Sequence, residues 1–394
     1  MTIGKEAVER GRIMLLAAIV ALRGAFHNMR RVIWQPFVLS LGVDMKSLGG
    51  LESLMDLSRL VVQPVVGRAS DIHGRRRWLI ARDTIALVTG LLTIVTRSWY
   101  LLFIIVILLG LENALYPIWT AMVAESTDAE SLGYYFSLLM TATTGAGLVS
   151  TFAAGYLAEA YGYRNVFMIA TVFIMLSFIL VLAKLPETKA PDTSSSLNLH
   201  GIIGSLIGAL KPSPKLRGFY IAMAVDLFAF GLGWRLLYGM LTRSYGYTPQ
   251  MLGVISTVTT GAMALSQLFI GRYVDRVGYR KYLAISQSMA CIVLGMIVVS
   301  KRFEVVIVSQ ILMGVAASFW GPAEQAWISK NVDPEERAQA IGSYASFRGL
   351  LSFPAPFIGG LLYDSYGFNI PLLLNIVIAI VDTILILVLI EDNP

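Results

Sequence analysis

The sequence predicts an all-α membrane protein, with twelve transmembrane helices arranged as two pseudo-symmetric six-helix bundles. Three observations predict it. Apolar residues make up 56% of the chain and charged residues only 14%, against roughly 45–50% and 25% in soluble domains. Apolar stretches of about 18–25 residues recur along the whole length, each long enough to cross about 30 Å of hydrocarbon. One short charged motif occurs twice, at 67 and again 204 residues later at 271, each time between two such stretches.

The stretches fall near 13–40, 47–67, 78–96, 99–123, 132–158, 165–184, 217–242, 250–271, 282–300, 304–327, 338–363 and 370–390, numbered spans 1 to 12 in chain order. Backbone polar groups find no water in lipid, so each span must be a helix. The strand alternation of an outer-membrane barrel is absent. Span 1 is too long for a signal-peptide core and lacks a small-residue cleavage site, so it is expected to be retained. The long polar stretch, Pro186 to Arg217, carries Pro186-Glu187-Thr188-Lys189, Pro191 to Ser196, and Lys211-Pro212-Ser213-Pro214-Lys215. That is linker composition. Residues 1–185 are expected to form the N-terminal bundle, 186–216 a cytoplasmic linker and 217–394 the C-terminal bundle.

The repeat reaches well beyond the charged motif. At the same offset Phe26, Arg31, Ser40, Gly42, Leu48 and Gly49 match Phe230, Arg235, Ser244, Gly246, Leu252 and Gly253, and Gly110 matches Gly314. At an offset of 205, residues 154–163 match 359–368. An even number of spans puts both termini on one side. Of 31 Lys and Arg, about 19 fall on that side and about 6 on the other, so the positive-inside rule makes the termini cytoplasmic. This distribution explains the net charge of +6 without a nucleic-acid partner.

Enzyme and pump chemistries find no support. The three histidines are scattered without metal-ligand spacing, and the single Cys291 lies inside span 9, so neither a metal site nor a disulfide framework is expected. No phosphate-cradling G-x-x-x-x-G-K-[ST] loop is present. No cofactor is expected, and the energy must come from an ion gradient or the solute's own gradient.

The loop at 67–77 is similar to the G-x-x-x-D-x-x-G-R-[RK]-[RK] signature of the major facilitator superfamily. Gly67, Asp71, Gly74, Arg75, Arg76 and Arg77 carry it, with a weaker copy at 271–281, and the resemblance covers nearly the whole chain. It implies alternating access, in which two halves rock about a site near the midplane. It also implies a cytoplasmic latch made by Gly67, Asp71, Gly74, Arg75 and Arg76, with Gly271, Asp275 and Gly278 in the second copy. Glu125 is the expected partner of Arg75 or Arg76, and Arg337 that of Asp71; topogenic charge alone is the competing reading. Gly145, Gly147 and Gly155 in span 5, and Pro356, Gly359 and Gly360 in span 11, suit close helix packing. Span 11 resembles the G-P-x-x-G-G element that proton-linked drug antiporters carry in helix 5. Span 5 itself has Ser150-Thr151 there, and span 4 has Ile107 where those antiporters carry an arginine.

Charges inside spans are costly and mark functional candidates. Arg23, His27, Arg31 and Trp34 fall close to one stripe of span 1, and span 2 holds Glu52, Asp56 and Arg59. Arg31 and Arg235 occupy equivalent positions, roughly 12–14 Å below the outer ends of their helices. They are expected to clamp a carboxylate or phosphate from opposite halves. Alternatively each is neutralised in its own bundle, Asp56 or Glu112 taking Arg31 and Asp226 or Glu324 taking Arg235. Arg23, His27, Trp34 and Arg348 complete the substrate-binding candidates. Asp56, Glu112, Asp226 and Glu324 are the proton-coupling candidates, because a buried carboxyl beside an arginine can trade that partner for a proton. Asp382 in span 12 is expected to face the bundle.

The reading is a monomeric, proton-coupled secondary transporter of a small organic anion in the cytoplasmic (plasma) membrane. Its partners are the solute, protons or another coupling ion, and lipid. The alternatives are a drug/proton antiporter exporting amphipathic compounds and a non-transporting receptor or scaffold. The two intact loops speak against the last.

Overall fold

The computed structural model describes residues 2–125, 132–188, 204, 211–212, 214–270, 278–332 and 337–390. Span 1 is α1 (Thr2–Ser40), span 2 α2 (Met45–His73) and span 3 α3 (Arg75–Val95). Span 4 is broken into α4 (Tyr100–Ala114) and α5 (Tyr116–Glu125), and spans 5 and 6 are α6 (Leu132–Tyr161) and α7 (Tyr163–Lys184). Span 7 comprises α8 (Pro214–Leu232), a 3-10 turn (Trp234–Leu236) and α9 (Leu237–Tyr245). Spans 8 to 10 are α10 (Pro249–Ile270), α11 (Tyr279–Val299) and α12 (Phe303–Asn331). Span 11 comprises α13 (Arg337–Ser352) and α14 (Ala355–Tyr366), and span 12 is α15 (Asn369–Leu389). Most of the linker expected over 186–216 lies outside the described residues.

Ten of these segments are long and apolar enough to cross a membrane. The other two are span 2, which carries Glu52, Asp56 and Arg59, and span 11, which Phe353-Pro354 splits. Tight connections need a backbone that only glycine adopts without strain. Positive φ values occur at Gly42, Gly74 and Gly162, and again at their counterparts Gly246, Gly278 and Gly367.

Asp44 starts span 2 by accepting a hydrogen bond from the Ser47 N–H at 2.7 Å. That bond holds its carboxyl below the usual carboxylate range. Asp44→Ala is therefore expected to cost about 1 kcal/mol near neutral pH. Because the folded-state value is depressed, the contribution is present above about pH 4 and disappears as the pH falls through the lowered value. Melting curves at pH 7 and pH 3 check this: the gap between wild type and variant narrows in acid.

The halves meet where spans 2 and 11 cross and where spans 5 and 8 cross. A Cβ on Gly49 would collide with the Pro356 carbonyl, and one on Gly360 with the Met45 carbonyl. Gly155 and Gly253 face each other in the same way at the second crossing. Carboxylates from one half cap helix starts in the other. Asp364 accepts from the Lys46 N–H at 2.7 Å, and its counterpart Glu159 accepts from the Gln250 N–H at 3.1 Å. A carboxylate suits the positive end of a helix.

All these contacts lie on the face remote from the chain termini, called the far face. There one apolar core takes Phe37 and Leu48 from the first half and Met240, Leu252 and Tyr363 from the second. On the termini face each half keeps its own core, around Ile19 and Trp119 in one and around Phe219 and Trp327 in the other. The halves are sealed on the far face and parted on the termini face.

Candidate functional site

The parting leaves a cavity of about 900 Å³. Gly67, Lys211, Val332 and Ala340 stand near its mouth, and Asp56, Arg235 and Pro356 near its inner end. Leu60, Pro64, Pro117, Leu216, Tyr220, Leu227, Phe230 and Phe353 give it largely apolar walls. A drug-sized organic molecule fits a space of this size and lining.

The inner end is built on a helix break. Gly233 packs against Pro371, Leu372 and Asn375, where span 7 tightens into its 3-10 turn. The break frees backbone groups that must find partners. Gln35 of span 1 supplies both: its amide donates to the Arg235 carbonyl at 2.7 Å and accepts from the Gly239 N–H at 2.8 Å. The Arg235 side chain points across the interface to span 2. It donates to Glu52 at 3.1 Å and to Asp56 at 3.0 Å. Glu52 is 4% exposed at its side chain, whereas Asp56 is 29% exposed.

This arrangement replaces the expected clamp. Arg235 lines the cavity but is engaged by two carboxylates of the opposite half. Arg31 is exposed and donates weakly to Ser256 of span 8 at 3.4 Å, and does not line the cavity. Span 1 is unbroken where span 7 turns, so equivalent positions point differently. Neutralisation within each bundle does not hold for this pair either, because the Arg235 partners come from the other half.

A second chamber of about 440 Å³ lies inside the first half. Arg23, His27, Arg59, Arg82, Tyr116 and Trp119 line it, and Arg59, Gln63 and Pro117 border both cavities. Arg23 belongs here and not to the central cavity. It is bound to the buried Asp83 at 2.9 and 2.8 Å. Its Nη1 and the Nε of Arg82 are buried without a hydrogen-bond partner.

The other candidates have structural engagements. Trp34 is buried in the shared core against Phe37, away from either cavity. Glu112 is held by Arg30 at 2.8 Å, because Arg30 rather than Arg31 turns into the bundle. Arg348 pairs with Glu324 and Tyr344 behind the cavity wall, while its neighbour Gly349 lines the cavity. His27 accepts from Arg30 at its Nδ1, at 3.3 Å. Asp226 accepts from Gln287 at 3.1 Å.

In the charged loop, Arg75 meets Asp71 at 2.6 Å and Glu125 at 2.9 Å, and donates to Ser70 at 2.7 Å. Glu187 caps the start of span 3, accepting from the Arg75 and Arg76 N–H groups at 2.7 and 3.1 Å. Arg76 also donates to the Leu182 carbonyl. Among the described residues, none has an atom within 4 Å of where a Cβ on Gly67 would stand, so no described helix approaches it closely. The termini face is parted, and this accounts for the gap. Gly74 and Gly278 supply the positive-φ turns. Gly271, Asp275 and the side chain of Arg337 lie outside the described residues.

Sequence reasoning passed over Gln35, Arg82, Asp83 and Gln287. A signal was present: Gln35 and Gly239 are counterparts at the repeat offset, and so are Asp83 and Gln287.

The family described as Major Facilitator Superfamily matches residues 13–238 and 219–394. The chain is 25% identical over 358 residues to "Multidrug resistance protein MdtG" of Citrobacter koseri, covering 88% of this chain and 87% of that one. It is 24% identical to the protein of the same name from Salmonella arizonae over the same shares. Among solved structures, the nucleoside transporter NupG (D323A mutant) superposes with a TM-score of 0.82 at 13% identity, over 96% of this chain and 100% of that one. The human organic anion transporter MFSD10 gives 0.71 at 15% identity, over 96% and 99%. At such identities the structures share the fold.

Proposed function

Because the chain is a membrane transporter belonging to the major facilitator superfamily, we propose that it exports amphipathic organic compounds in exchange for protons. The termini face is cytoplasmic on this reading, and the conformation described is the inward-facing one. The protein acts as a monomer in the cytoplasmic membrane. The observation that carries the proposal is the cavity itself, about 900 Å³, with largely apolar walls, Lys211 near its mouth, and Asp56 with Arg235 at its inner end. Relatives named for multidrug resistance, aligned over 88% of the chain, support the same reading.

Asp56 is the part-exposed carboxylate at the inner end. A cationic cargo competes there with Arg235. The two halves then rock, closing the termini face and opening the far one, where a proton displaces the cargo. Efflux of the lipophilic cation ethidium from proteoliposomes under an imposed pH gradient tests this. Gradient-driven efflux that Asp56→Asn reduces at least tenfold is expected; gradient-independent efflux rejects proton exchange.

A second reading, transport of an organic anion, draws on one observation: the unpartnered buried guanidinium atoms of Arg23 and Arg82 in the side chamber. Thermal-shift titration separates the two. Stabilisation by benzoate and not by ethidium puts the anion reading first.

The loop at Arg75 makes a further expectation. The Asp71–Arg75 pair is exposed at Asp71, and exposed pairs contribute at most about 1 kcal/mol. Asp71→Asn therefore leaves the melting temperature nearly unchanged. Turnover is expected to fall by more than about fivefold, beyond what that energy explains, because Asp71 gains another partner when the termini face closes. Unchanged turnover rejects the latch.

A further inference from the structure

We propose that Asp382, buried in span 12, carries a proton that Gln287 and Asp226 help to hold, and that this proton, together with the one taken up at Asp56, drives export. The coupling role rests on the proton-exchange reading above; the resting protonation does not.

The three side chains meet where spans 7, 9 and 12 join. The Gln287 amide nitrogen donates to Asp226 Oδ1 at 3.1 Å and to Asp382 Oδ2 at 2.9 Å. Both carboxyls thus lie within reach of one nitrogen. Asp382 is 0% exposed, and its Oδ1 has no hydrogen-bond partner. An ionised carboxylate buried with one oxygen undonated and another acid beside it has nothing to balance its charge. A proton on Asp382 removes the problem. A metal cation does not, because the amide turns its donor end toward both acids.

The surroundings offer no substitute for the proton. Arg348 and Glu324 face Asp226 from spans 11 and 10, but they pair with each other, with Tyr344 hydrogen-bonded to both. Facing Asp382 are Asp226 and, from span 9, the thiol Cys291. No described cation reaches it.

The first half makes the contrast plain. At the equivalent junction of spans 1, 3 and 6, Asp83 stands where Gln287 stands in the second half, and Ser177 where Asp382 stands. There Arg23 binds Asp83 in a two-point bridge and Ser177 donates to the same carboxylate at 3.2 Å. That junction balances its own charge. The second exchanges acid for amide, adds two acids, Asp226 at the Leu22 position and Asp382 at the Ser177 position, and omits the arginine. Access is built in as well: Asp226 is only half-buried, and the next residue, Leu227, lines the cavity. On this proposal Asp226, the half-buried member of the trio, is the group through which protons pass to and from Asp382.

Infrared difference spectroscopy of the purified protein at neutral pH is the test, reading the carbonyl band of a protonated carboxylic acid and its shift in heavy water. Wild type is expected to show the band, Asp382→Asn to lose it and Asp226→Asn to keep it. Should Asp382→Asn not fold, Asp382→Ser installs the residue the first half already carries. No band that either Asp382 variant removes overturns the site. In proteoliposomes, the Asp382 variants are expected to lose gradient-driven ethidium efflux at least tenfold, with recovery in Asp382→Glu. Full gradient-driven efflux in the variants overturns the coupling role. A wild type indifferent to the gradient sinks proton exchange as the function, while the band still decides the site.

Discussion

Arg235→Ala is expected to spend most of its time open on the far face, and to transport poorly for that reason. Among the described residues, Arg235 is the side chain that bonds both Glu52 and Asp56 across the interface. Removing one partner of a buried pair costs about 3–5 kcal/mol, mostly from the charge left behind. Arg235 and Asp56 are roughly a third exposed, so about 2–3 kcal/mol is the reasonable share. When the far face opens, Glu52 meets water and the penalty disappears. The closed form is therefore disfavoured by roughly 30- to 160-fold. A cysteine at position 53, where the Ser53 hydroxyl now accepts from the Phe357 N–H of the other half, reports the opening. In a Cys291→Ser background its alkylation is expected to quicken in step with the loss of efflux. Arg235→Lys should fall between, because a point charge cannot serve two carboxylates as a planar fork does. An unaltered alkylation rate in Arg235→Ala would mean that the bridge holds nothing shut.

Gly49→Ala and Gly360→Ala are expected to act on the same closure with the opposite effect on stability. Each new methyl would meet a main-chain carbonyl of the other half, Pro356 or Met45, and a carbonyl cannot rotate aside as a side chain can. Overpacking of this kind costs typically about 1–3 kcal/mol, and separation of spans 2 and 11 is the way to relieve it. Within its own helix, alanine is preferred to glycine by about 1 kcal/mol. The melting temperature should hold or rise while transport fails. Gly50→Ala is the control, since its methyl would meet only the Phe357 ring at an ordinary 3.5 Å. Loss of transport in the control as well would point to general damage, not to a blocked closure.

The fold was legible because it depends on properties of whole segments: length, apolarity and an internal match. The matched glycines at 42 and 246 and at 162 and 367 became turns, and 49 and 253 became points of close approach. The matched acids 159 and 364 became caps on helix starts in the opposite half. Charge pairing was less legible, since it depends on how each helix is rotated and where it breaks. Arg31 and Arg235 match in sequence, yet Gly233 precedes one and Leu232's counterpart run in span 1 continues unbroken past the other. That break turned Arg235 toward span 2, and the neighbouring arginines 30 and 31 divided in a way that a stripe of spacings does not resolve.

Gln35 and Gly239 descend from the same position of the repeat, yet one is the donor and acceptor that mends a break and the other is part of the break being mended. Two copies of the first half, fused or paired, would set glutamine against glutamine across the dyad, with no loosened backbone on either side to receive them. Two copies of the second would leave both breaks unmended. At this contact the twofold is no longer symmetric: the first half brings the mending side chain and the second the opened backbone, so each completes the other.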